Sequence, residues 1–403
     1  LLVPATASFV RPESRATPLL ANRQCSDRML ERPPAGPSVL TETHPPGSPS
    51  RTRAEPRALI ACHTFGVPSE VWIQRQIATF SRCERHVLAW DAVPGAMAVS
   101  GVPLENLGLD FDAPEKGWQR WWRRLRLLPS GNFCGAIGAE RQQLDAVVRR
   151  VRPDVILCHF GLVALRLLPT ALAQGVPLVA HFHGNDISSS LRNHRYYRWS
   201  LKRCVHQFAG TVVVGSHQRR VLQSFGVPDQ KIALIPCGAP VELFTPKRAY
   251  ATDRCRFIAV SRLVAWKGVD YTLRAFAAAR QQRPEVELHI VGGGQDERRL
   301  RALATELKLH DAVLFHGEKN SEEVRTLLTA CDVFVQHSLD HSSGWTEGFG
   351  VSIAEASACG LPVVVTDSGG IVDQVTHGEN GLITPQRSVE ALTTAMLQLC
   401  DDL

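Results

Sequence analysis

The stretch EGFGVSIAEASACGLPVVVTDSGGIVDQV, from Glu347 to Val375, decides how the rest of the chain is read. It carries two acids, Glu347 and Glu355, with seven residues between them. Glu347 follows the polar run HSSGWT and falls in a loop. The segment SIAEASACG reads as a helix ending at Gly360, because glycine enters the left-handed conformation of a helix end without steric cost. Leu361 to Thr366 is an apolar run of strand length, the pattern of a parallel strand covered on both faces. Gly369 and Gly370 then open the next helix. A strand, a glycine pair and a helix N-terminus make a place for phosphate: backbone N–H groups point outward, the helix dipole favours an anion, and glycine lets it approach. With Glu347 on the loop and Glu355 inside the helix, both carboxylates face one crevice at the carboxyl end of a parallel sheet. Carboxylates there suit the paired hydroxyls of a sugar or a ribose. Outside this context either Glu reads as a solvated or helix-pairing side chain.

The same grammar recurs on either side. In CRFIAVSRLVAWKGVDYTL (Cys255 to Leu273) a strand delivers Ser261 and Arg262 to a loop, and Lys267 and Gly268 begin a helix. Two cations so placed can clamp a diphosphate, Arg as a fork and Lys as a point charge. VELHIVGGGQDE (Val286 to Glu297) mimics a dinucleotide fingerprint, but Glu297 stands where a third glycine belongs, so it reads as a cleft-lining turn. AVLFHGEK (Ala312 to Lys319) is a further strand and loop with Gly317 at the turn. Earlier in the chain, VPLVAHFHGNDIS (Val176 to Ser188) is a strand whose end presents His181, His183, Gly184 and Asp186 to a cleft, where open α/β sheets bind ligands. ALIACHTF (Ala58 to Phe65) is the first strand, followed by a loop with Ser69 and Glu70 and an amphipathic helix. Strand and helix alternate throughout, which implies α/β architecture with two doubly wound parallel sheets.

Composition agrees. The chain has 403 residues, 44% hydrophobic and 21% charged, with a net charge of +6. This is an ordinary globular balance, too weakly basic for nucleic acid and compatible with anionic ligands or an anionic membrane surface. Eleven Cys are scattered without metal-ligand spacing, as in a reducing compartment. No motif calls for a metal, and no apolar run reaches the roughly 20 residues of a membrane span. The expected location is the cytoplasm, with peripheral contact at the inner face of the membrane. Residues 1–57 hold ten of the 25 prolines, and the first Met is Met29. They read as a disordered or non-native extension. In WQRWWRRLRLL (Trp118 to Leu128), Trp and Arg interleave. As a helix this either docks its Trp face on the domain or lies at a membrane surface, with Trp118, Trp121 and Trp122 at headgroup depth and Arg123 and Arg124 on anionic lipid.

Together these motifs, in this order, resemble the retaining glycosyltransferases of family 4, of GT-B fold, and among them the exopolysaccharide and colanic-acid-type members. The resemblance runs from about Ala58 to the C-terminus. It implies an acceptor-side Rossmann-like domain over residues 58–245 and a nucleotide-sugar-binding domain over 246–403, with a further helix or two beyond Leu403. It implies transfer of a sugar from a nucleoside diphosphate of the UDP or GDP type to a glycan or lipid-linked acceptor. Donor binding falls to Arg262, Lys267, Glu355, Ser261, Gly317, Gly348, Phe349, Gly350, Val351, Gly369 and Gly370. His183, Asp186 and Glu347 line the reacting centre. No cofactor is expected beyond the donor substrate, and Arg262, Lys267 and a helix dipole, rather than a metal, neutralise the departing diphosphate. Rival readings are a sugar-nucleotide epimerase or hydrolase of the same fold, and a nucleotide-sugar-binding protein without turnover.

Overall fold

The computed structural model describes residues 55–67, 70–93, 99–111, 117–246 and 254–402. Ser69 and the sequence up to residue 54 lie outside that set. The first sheet has seven strands: β1 (Arg57–Phe65), β2 (Glu84–Ala92), β3 (Leu104–Asn106), β4 (Val155–His159), β5 (Leu178–Phe182), β6 (Gly210–Val213) and β7 (Ile232–Leu234). The second has six: β8 (Arg256–Val260), β9 (Glu287–Val291), β10 (Val313–Gly317), β11 (Val333–Gln336), β12 (Val363–Thr366) and β13 (Gly381–Thr384). Helices α1 (Val71–Thr79), α2 (Gly117–Leu127), α3 (Gly138–Val151), α4 (Gly161–Gln174), α5 (Ser189–Asn193), α6 (Arg195–Cys204) and α7 (Ser216–Ser224) belong to the first half. α8 (Val269–Gln282), α9 (Glu297–Glu306), α10 (Ser321–Ala330), α11 (Val351–Ala358) and α12 (Val389–Asp402) belong to the second.

Every strand pair is parallel. The first sheet runs β3-β2-β1-β4-β5-β6-β7 and the second β10-β9-β8-β11-β12-β13. Each therefore reverses direction once, between β1 and β4 and between β8 and β11. Strand alternation sorts the core. Leu59 and Ala61 of β1 pack with α3 and α4, whereas Ile60 and Cys62 pack under α1. Phe257 and Leu288 pack under α8 and α12, and Ile258 and Val291 face α10 and α11.

Two local expectations change. Gly369 and Gly370 do not open an α-helix: Ile371–Asp373 forms a single 3-10 turn. The first strand also starts at Arg57, inside the supposed extension, because its backbone N–H donates to Asp154 and its guanidinium pairs with Glu84.

Candidate functional site

In open α/β sheets, ligand crevices form where strand order reverses, beyond the carboxyl ends of the strands. Here the two reversal points share one cavity of about 410 Å³. The first domain lines it with the segment after β1, Phe160 after β4 and His183 after β5; the second lines it with the loop after β8 and the stretch from Trp345 to Glu355.

Glu347 lies buried in its lining. Lys267 Nζ donates to its Oε2 at 2.5 Å, and Gln336 Nε2 and Ser338 Oγ donate to the same oxygen at 3.0 Å. The Lys267 ammonium also sits 5.4 Å from the Trp345 ring centre, which holds the cation at the cavity wall. Arg262 stands exposed at the rim. The helix start that opens into the cavity is that of α11. Its N-cap, Gly350, has φ +87, a conformation an L side chain rarely adopts, and Gly348, Gly350 and Val351 all line the cavity. The Gly369–Gly370 pair serves differently. The Gly370 N–H donates to the Glu347 carbonyl at 2.9 Å, and a Cβ at Gly369 would lie 1.9 Å from that carbonyl oxygen. The pair supports the Glu347 loop from behind and does not line the cavity.

Glu355, in the second turn of α11, is also buried. Its Oε1 accepts from Arg75 Nη1 at 2.7 Å, and Arg75 Nη2 donates to Ser321 Oγ at 3.0 Å. Arg75 comes from α1 in the first domain, and its guanidinium lies 5.7 Å from the centre of the Phe244 ring. Burial pushes the Glu355 carboxyl above its usual range, and the Arg75 cation opposes that shift.

On the facing wall, His183 lies beneath Trp72 of α1, ring centres 3.9 Å apart. Burial, then the neighbouring His181 and His159, hold it neutral, well below its ordinary pKa. Asp186 does not line the cavity. Its carboxylate accepts backbone N–H bonds from His183, Gly184 and Gly161 at 3.0, 3.1 and 3.0 Å. That fixes the turn presenting His183, so Asp186 holds this turn in place and does not face the cavity. Glu70 does face the cavity, with its pKa pushed up to about 7 by burial, against the opposing charge of Arg262.

The structure thus brings together His183, Glu347, Arg262, Lys267, Glu355, Ser261, Gly348, Phe349, Gly350 and Val351, and leaves out Asp186, Gly317, Gly369 and Gly370. Beyond β10, Lys319 of the loop and Ser321, the first residue of α10, line the cavity where Gly317 was expected. Sequence reading missed Arg75 and the ring of Trp72, for no motif marks either. The domains also touch backbone to backbone. A Cβ at Gly348 would lie 2.1 Å from the His183 carbonyl oxygen, and the Ser216 N–H at the start of α7 donates to Asp373 Oδ2 at 2.6 Å.

The Trp/Arg segment forms α2, and its rings do not dock: Trp118, Trp121 and Trp122 are 64%, 58% and 53% exposed. Arg124 stacks over Tyr196 of α6, where Trp199 is exposed as well, so the aromatic face spans both helices. Arg123 departs from expectation. It turns inward and donates to the carbonyls of Cys134 and Gly135. Among the described residues no helix is long and apolar enough to cross a membrane.

Residues 242–402 match the model of the glycosyl transferases group 1, and residues 108–243 that of glycosyltransferase family 4. The chain is 33% identical over 267 residues to the putative colanic acid biosynthesis glycosyltransferase WcaL of Escherichia coli, covering 63% of this chain and 65% of the relative. It is 31% identical over 275 residues to a GDP-mannose-dependent phosphatidylinositol monomannoside mannosyltransferase of Mycobacterium tuberculosis, covering 64% and 71%. The first three curated relatives are spanned over 65%, 61% and 61% of their length, just under two thirds. Among solved structures, Anabaena HepE in complex with UDP and glucose superposes with a TM-score of 0.66 at 20% identity, over 86% of this chain and 90% of that one. The apo lipopolysaccharide outer core galactosyltransferase WaaB superposes with a TM-score of 0.63 at 15% identity, over 86% and 90%.

Proposed function

The chain belongs to glycosyltransferase family 4 and has the GT-B architecture, and we propose that it moves a sugar from a nucleoside diphosphate to an acceptor hydroxyl with retention of configuration. The observation that carries this reading is the cavity where two strand-order reversals meet, with a buried Lys267–Glu347 pair, Arg262 at its rim and the α11 N-terminus opening into it. Arg262, Lys267 and that helix start neutralise the departing diphosphate without a metal. Glu347 accepts hydrogen bonds from the donor sugar, Glu355 from the ribose, and neutral His183 lines the reacting centre.

A thermal-shift panel of UDP, GDP, ADP and NAD tests the donor assignment. One nucleoside diphosphate at 100 times its Kd should add about 2.7 kcal/mol to stability, and Arg262→Ala should remove most of that shift. A chain that responds to none of them, or equally to NAD, would overturn the donor reading.

The acceptor we propose is lipid-linked or a growing polysaccharide, reached from the cytoplasmic side of a membrane. The similarity to the colanic acid biosynthesis glycosyltransferase WcaL favours this class, and so does the exposed Trp face of α2. Vesicles containing anionic lipid should sediment the protein, and the pair Trp121→Ala with Trp122→Ala should release it, as should raised salt. Equal sedimentation of the pair would place membrane contact elsewhere or nowhere.

A further inference from the structure

Beneath Trp72, on the face of the first sheet covered by α1, three histidines stand together. His159 ends β4 and His181 lies on β5, and the two are register partners on adjacent strands. Strand alternation places residues two apart on one side, so His183 joins His181 there. One nitrogen from each of the three rings lies within 4.8 Å of the others, and His159 Nδ1 lies 3.1 Å from His183 Nε2. That contact satisfies one donor and one acceptor. His159 Nε2, His181 Nε2 and His183 Nδ1 remain buried with no hydrogen-bond partner among the described residues. Three neutral imidazoles offer three N–H donors and three lone pairs, so half of these six ring nitrogens are stranded in an apolar wall, which is costly unless something takes them up.

We propose that His159, His181 and His183 form a binding site for a transition-metal dication of the zinc class. Neutral imidazole is the donor that zinc, copper, nickel and ferrous ions prefer over hard alkaline-earth ions. A tetrahedral ion with bonds of 2.0–2.1 Å to nitrogen sets its ligands about 3.4 Å apart, so rotations that move ring nitrogens by about an ångström close the set. Three protein ligands leave a fourth position for water, as in open zinc sites. His183 also lines the 410 Å³ cavity, which supplies the route of entry. The Asp186 carboxylate, bonded to the backbone of His183 and Gly184, holds the third ligand in place. The ion would tie His183 to β4 and β5, separately from any role at the diphosphate.

The test uses the full chain, stripped with a chelator and titrated with Co²⁺ and with Zn²⁺. One equivalent should bind, with the visible absorption of four-coordinate cobalt and no thiolate charge-transfer band in the near ultraviolet. The second criterion matters because the chain has eleven Cys. His159→Asn and His181→Asn, each checked for folding by circular dichroism, should each weaken binding by at least about tenfold. If the wild type binds no equivalent, if its cobalt spectrum shows thiolate ligation, or if both folded variants bind as tightly as wild type, the site is overturned. The readout does not depend on transfer activity, so the donor reading and the metal site can fail separately.

Discussion

Lys267→Ala should cost about 3–5 kcal/mol of stability and lower transfer by roughly 10²–10³-fold, and the two losses should be separable. The side chains of Lys267 and Glu347 are only 12% and 9% exposed, and their 2.5 Å contact compensates two charges that water scarcely reaches. Removing the ammonium leaves Glu347 with the neutral donors Gln336 and Ser338 on a single oxygen. That is the situation in which breaking a buried pair is most damaging. Adding Glu347→Gln to Lys267→Ala removes the stranded charge, so the double variant should recover most of the stability. It should recover none of the transfer, because the cation proposed for the diphosphate and the proposed acceptor of sugar hydroxyls are both gone. Denaturant unfolding and turnover, measured on the same four proteins, give the full cycle. Unchanged stability in Lys267→Ala would mean that the pair is solvated in solution. Recovery of turnover in the double variant would remove both residues from the chemistry.

Arg75→Ala should weaken nucleoside diphosphate binding by about 10- to 100-fold, equivalent to about 1.4–2.8 kcal/mol. Arg75 sits on the first domain, yet its guanidinium holds Glu355, the proposed ribose residue, and Ser321 at the head of α10. A carboxylate has accepting capacity for a second partner while Oε1 is engaged, so Arg75 orients Glu355 without filling it. It also sets the charge. Burial raises the Glu355 pKa and Arg75 pulls it back. Ribose hydroxyls donate best to the ionised form, so binding should be full above the Glu355 pKa and fall as pH drops through it. Without Arg75 that acid limb moves to higher pH, and Arg75→Lys should restore part of the affinity and move the limb back. Calorimetric titration from pH 5 to 8 checks both. If Arg75→Ala matches wild type in affinity and in pH profile, the contact is only a resting-state pairing.

The strands that position the cavity are legible in the sequence because a strand buried on both faces is an unbroken apolar run, and the polar residue that ends the run marks the cleft. That logic finds Arg262 after β8, His183 after β5 and Glu347 beyond β11. It fails where the partner is set by tertiary arrangement. Arg75 looks like any solvated residue of an amphipathic helix, and its partner Glu355 is 280 positions away on another domain. His159 closes a strand that reads as plain core, and only the β4–β5 register sets it beside His181. The glycine pair at 369 and 370 has the residue types of a phosphate loop, but the chain after it makes only a three-residue turn. Asp186 has the position of a reacting acid, but three backbone N–H groups occupy it.

The contacts that join the two domains set rules for recombining them. Each domain has its own sheet and its own buried clusters. The joint described above includes the Arg75 guanidinium on Glu355 and Ser321, the Ser216 N–H on Asp373, and the bare backbone of Gly348 against the His183 carbonyl. A chimera that takes its first half from one relative and its second half from another therefore needs an arginine at the first position and no side chain at the last. Where those are matched, the halves should dock as they do here. Where a methyl group stands in place of the Gly348 hydrogen, the halves are wedged apart, however well each folds.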